Sequence, residues 1–240
     1  MENPMIAKIK KLNDPFGVPA QATASYGGVA VKEIGLLAIV VVSTIATWVA
    51  GYATPAMTMV AGIGGLITCI AISFKPNWAG FLAPLYAILE GMFLACISAI
   101  AETMYPGLVV QAVLLTFGIA MAAAFVYSRG IVKVTGTFMK VVSMALLGLI
   151  FCYLGEFILS FFGISFDFLR GGIVGIVIDL VVIGLATACL FIDYEVISQA
   201  VEQRLPKDYE WYCAFSLLVT LIWLYIRLLD LLMSLNSSRD

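Results

Sequence analysis

The chain of 240 residues contains no histidine. That absence removes the general base of a serine protease, the ligands of an HExxH metalloprotease and the usual haem ligand. It also removes the side chain that ordinarily titrates near neutrality. Any proton response must therefore rest on carboxylates whose charge is disfavoured by burial or crowding. Cysteine occurs five times, at Cys69, Cys96, Cys152, Cys189 and Cys213, never in a CxxC spacing. Each falls in an apolar run, where small buried hydrophobes are expected rather than disulfides or metal ligands. No GxGD run of an intramembrane aspartyl protease is present, and the last apolar segment has no lysine for a retinal Schiff base. These exclusions leave no enzymatic reading and no cofactor.

Charge is also scarce. Only 12% of residues are charged, 62% are hydrophobic and the mean hydropathy is +1.07. A soluble domain is nearer one quarter charged, so the composition predicts an all-α polytopic membrane protein whose main partner is the lipid bilayer. The basic residues are too few and scattered for a nucleic-acid face.

What is present is a series of seven apolar segments near the ~20 residues a spanning helix needs. They are expected at 34–53, 56–74, 80–101, 107–128, 139–162, 171–192 and 211–234. Turn signals separate them, including Gly51 to Pro55, Lys75-Pro76-Asn77, Tyr105-Pro106-Gly107, Ser128-Arg129-Gly130, Gly163 and Leu205-Pro206-Lys207. Residues 1–33 form a polar lead broken by Pro4, Pro15 and Pro19, read as a cytoplasmic tail. No cleavable signal peptide is visible, so the first run is expected to stay as an anchor. The membrane domain is expected over 34–235, with a short tail at 236–240. An inside N-terminus puts ten basic residues on inner segments (Lys8, Lys10, Lys11, Lys32, Lys75, Arg129, Lys133, Lys140, Arg204 and Lys207) and leaves Arg170 and Arg239 outside. That asymmetry sets the expected orientation. Gly62, Gly64 and Gly65, and Gly171, Gly172 and Gly175, read as close helix contacts. None is followed by the Lys-Ser/Thr of a phosphate loop.

Five carboxylates, Glu90, Glu156, Asp179, Asp193 and Asp230, lie inside or at the edge of these segments. A charge at mid-bilayer costs on the order of 3 kcal/mol or more, so each marks a candidate site. Asp179 and Asp193 share one helix face but are about 21 Å apart along it. Arg227 and Asp230, three residues apart, are expected to pair with one another. Glu156, Asp179, Arg227 and Asp230 share a depth in the outer half, with a satisfied structural network as the plain reading. Asp193, Glu195 and Glu210 flank the inner ends of the sixth and seventh segments and are candidates for an inner gate. Glu90 is a candidate for a mid-membrane site. Calcium takes about six to eight oxygen ligands, so this set suits weak transit rather than tight metal binding.

Several stretches carry a resemblance. They are Pro84-Leu-Tyr-Ala-Ile-Leu-Glu-Gly91, the run from Tyr105 to Phe117, Phe191-Ile-Asp-Tyr-Glu195, Pro206 to Phe215, and Leu217 to Tyr225. In this order they resemble the Bax-inhibitor/YccA family, and its bacterial branch in particular. The resemblance implies seven helices, six around a central seventh, in a bacterial inner membrane. It implies a pH-sensitive calcium or cation leak for some members and, for others, non-conducting regulation of a membrane-embedded AAA quality-control protease. In the leak members an aspartate pair on the sixth and seventh helices senses pH. Asp193 matches the first aspartate, Glu90-Gly91 matches the family's third-helix pair, and Leu224 aligns with the second aspartate. A secondary transporter is a third reading, for which paired broken helices would be the sign.

Overall fold

The computed structural model describes residues 23–162 and 172–237. The first part of the expected tail with Lys8, Lys10 and Lys11, the turn at Gly163, and Arg170, Gly171 and Arg239 lie outside the described residues.

Among those described, seven helices are long and apolar enough to cross a membrane. They are α1 (Tyr26–Val49), α2 (Pro55–Phe74), α3 (Ala79–Met104), α4 (Leu108–Ser128), α5 (Gly136–Ser160), α6 (Gly172–Glu202) and α7 (Tyr209–Ser237). A single 3₁₀ turn, Pro76–Trp78, leads into α3. Local chemistry sets several ends. Ser25, Thr54 and Thr135 cap α1, α2 and α5, each accepting a backbone N–H from the first turn, which satisfies an otherwise orphaned donor. Gly51 and Gly130 stop α1 and α4 with φ of 72° and 66°, a left-handed turn that glycine enters without a Cβ clash.

Two boundaries differ from expectation. Helix α1 begins at Tyr26, so the predicted tail boundary at residue 33 falls inside it. Helix α6 continues to Glu202, ten residues beyond the predicted 192. Hydropathy locates the length that suits hydrocarbon, whereas a helix continues through polar residues until a cap or turn stops it.

Burial is unequal. Thirteen of the 29 residues of α7 are buried, but only Val142 of the 25 in α5. Helix α7 packs chiefly against α1, α3, α4 and α6, while α2 leans mainly on α3, and α5 on α6. The outer faces of α2 and α5 carry exposed Ile, Leu and Phe side chains, which a bilayer solvates as readily as a protein core does. One apolar core joins α1, α3 and α7 around Leu36, Ala83 and Leu218, and a second joins α4, α6 and α7 around Ala120, Leu190 and Leu224. The α1–α3 crossing depends on Gly91. A Cβ there would sit 2.6 Å from the Val40 carbonyl oxygen, and Thr44 donates to the Gly91 carbonyl at 3.0 Å across the same crossing.

Candidate functional site

The site begins where the chain enters α1. Thr23 forms an isolated bridge with Pro206, and the Ala24 N–H donates to the Leu205 carbonyl at 2.8 Å. This draws the start of α1 onto the α6–α7 turn. Glu210, in the first turn of α7, is 1% exposed. Its carboxylate accepts the backbone N–H and the hydroxyl of Ser25, each at 3.0 Å, and forms an ion pair with Lys32. The Lys32 ammonium also lies 5.3 Å from the Trp211 ring centroid. Gly28 leaves room for this carboxylate, because a Cβ there would lie 2.1 Å from Glu210 Oε1. Glu210, expected at an inner gate, is therefore held by a cation and two further donors.

Glu33 follows Lys32 and points about 100° around the helix from it. Its surroundings are different. Glu33 on α1 and Asp193 on α6 are each 6% exposed. Ser216 on α7 donates to Asp193 Oδ1 at 2.5 Å, and the Thr220 hydroxyl donates to the Ser216 carbonyl at 3.3 Å. Both Glu33 oxygens and Asp193 Oδ2 are buried without a hydrogen-bond partner. The two carboxylates are close enough to feel one another's charge. The other titratable groups within electrostatic reach are Tyr194 and Cys189 on α6 and Tyr212 and Cys213 on α7. Among the described residues none of these supplies a positive charge. Two such carboxylates resist joint ionisation, and a proton or a cation relieves the conflict.

The position aligned with the family's second aspartate is not the one that meets Asp193. The residue facing Asp193 from α7 is Ser216. Leu224 lies two turns further on, fully buried in the second core. The other buried carboxylate within electrostatic reach of Asp193 is Glu33 of α1. Sequence reasoning missed Glu33 because the first apolar segment was counted from residue 34. A usable signal was present: Val29, Glu33, Leu36 and Val40 fall at helical spacing on one stripe, and all four are buried.

The remaining candidates are dispersed. Glu90 is half-buried between α2 and α3, pressed against Gly65, with Tyr86 and Cys69 as its electrostatic neighbours. The structure does not bring it to Asp193. Glu195 accepts the Tyr127 hydroxyl at 2.8 Å and the Gln199 amide at 2.9 Å, and lines a cavity of about 610 Å³ with Tyr26 and Lys133.

At the opposite end of the bundle, Glu156, Asp179, Arg227 and Asp230 line one cavity of about 900 Å³. The depth argument from sequence places them together, and so does the fold. Arg227 donates to Asp230 at 3.3 Å and lies 5.2 Å from the Tyr153 ring centroid. Among the described residues no three His, Cys, Asp or Glu side chains gather as a metal-ligand set.

A family model described as Bax inhibitor 1 like matches residues 3–237 of the chain. No curated protein and no solved structure matches it significantly.

Proposed function

The chain belongs to the Bax inhibitor 1 like family, and on that premise we propose that it is a membrane cation conduit governed by the Glu33–Asp193 pair. One observation carries the reading: two carboxylates from different helices, both buried, with three of their four oxygens unbonded and, among the described residues, no cation paired with them. A structural pair is normally neutralised, as Glu210 is by Lys32. An intramembrane acid without such a partner marks a proton or ion path. Protonation removes the repulsion between the two carboxylates. A transiting cation has the same effect through the free oxygens. Two carboxylates with the Ser216 hydroxyl supply at most five oxygens, fewer than the six to eight calcium prefers, which suits passage rather than residence.

Liposomes containing the purified protein and a trapped calcium indicator test this. Flux in the parent is expected to differ between about pH 6 and about pH 8. Glu33→Gln and Asp193→Asn should each flatten that difference. Glu90→Gln should change the amount of flux and leave its pH response. Flux equal to protein-free liposomes at both pH values would defeat the conduit reading and favour a non-conducting regulator of a membrane protease.

A further inference from the structure

The α6–α7 seam has a polar site at each end. Asp193 meets Ser216 at one. Asp179 lies fourteen residues back along α6, and Asp230 fourteen residues on along α7. The two helices run in opposite directions, so equal offsets place Asp179 and Asp230 at one level, about 21 Å from the first pair. They line the far-end cavity together. Between the two levels the seam is dry. Positions 193, 190, 186, 183 and 179 alternate steps of three and four, a single stripe of α6. Its middle is Leu190, Ala186 and Ile183, facing Leu221, Leu224 and Leu228 of α7, every one of them buried.

We propose that this seam is the route between the carboxylate pair and the far-end cavity, and that Ala186, Leu190 and Leu224 are the apolar plug that closes it. A constriction lined by aliphatic side chains stops ions by excluding the water that would carry them. The plug deepens the conduit reading and rests on it. It also gives Leu224 a role: an acid at this position would wet the driest point of the seam, whereas leucine seals it.

Two native thiols report on the two sides. Cys152 is exposed and lines the far-end cavity. Cys189 is one turn from Asp193 and half-buried, beyond Ala186 and Leu224 as seen from that cavity. A charged, membrane-impermeant methanethiosulfonate, applied to the full chain in liposomes from the side that reaches Cys152, is followed by peptide mass mapping. In the parent, Cys152 is modified and Cys189 is not. In Leu224→Ala, modification of Cys189 should rise about tenfold as water reaches the thiol, with the Cys152 rate unchanged. Ala186→Ser adds one hydroxyl, leaves no cavity and should act in the same direction, which guards against misfolding of the leucine variant. Cys189 unmodified in both variants, or modified as fast in the parent, overturns the plug. Cys189 newly reached without any calcium flux supports the seam and overturns the conduit reading, so the two failures are distinguishable.

Discussion

The two charged regions of this bundle solve the same problem differently. At the far end, Arg227 sits among Glu156, Asp179 and Asp230 in a cavity, with its guanidinium on Asp230 and over Tyr153. At the N-terminal end, Lys32 is committed to Glu210, and no other described cation is paired with an acid there. Glu33 and Asp193 are left within electrostatic reach of each other with unbonded oxygens. Adjacent residues of α1 thus differ: Lys32 pairs with Glu210, and Glu33 presents a carboxyl group that the fold leaves without a hydrogen-bond partner. Burial alone therefore does not separate the two kinds of acid, since Glu210 and Asp193 are both buried. The presence of a partner does.

Substitutions can break this comparison, and their expected effects fall in order. Glu210→Ala removes one member of a buried ion pair and strands Lys32, at a cost of about 3–5 kcal/mol. Thermal unfolding in detergent should show the loss, and proteolysis should open the chain near Thr23 first. Gly91→Ala forces a Cβ against the Val40 carbonyl, an overpacking cost of about 1–3 kcal/mol, readable in the same unfolding assay. Glu33→Gln gives the opposite sign. It replaces a charge without a partner by a neutral group of the same shape, so the variant should unfold at or above the parent temperature while losing the pH response of flux. The smallest change is at the far end. Arg227 and Asp230 are partly exposed and three residues apart, so exchanging them by Arg227→Asp with Asp230→Arg should shift stability by only about 0.2–1 kcal/mol. It should leave the pH response intact. A far-end exchange that abolished the response would erase the distinction between the regions.

Much of this architecture is legible in the chain. The seven helices announce themselves as apolar runs between turn signals. The pairing of Arg227 with Asp230 follows from a spacing of three, and the meeting of Glu156 and Asp179 with them follows from depth. These are inferences within one helix or along one axis. The carboxylate pair is neither. Glu33 and Asp193 lie 160 positions apart on α1 and α6, and the clasp of Lys32 and Ser25 on Glu210 that ties α1 to α7 spans 178 positions. Spacing along the chain carries no information about which face of α1 meets α6. Leu224 shows the same limit. Its place in an alignment suggested a lost acid opposite Asp193, but the antiparallel register of α6 and α7 puts Ser216 there instead.

The most direct measurement is an infrared titration of carboxyl groups in the membrane-embedded protein. A protonated carboxyl stretch should change in intensity with pH in the parent. It should vanish from the titrating set when Glu33→Gln and Asp193→Asn are combined, and survive Arg227→Gln. A titrating carboxyl band identical in the parent and the double variant would contradict the account.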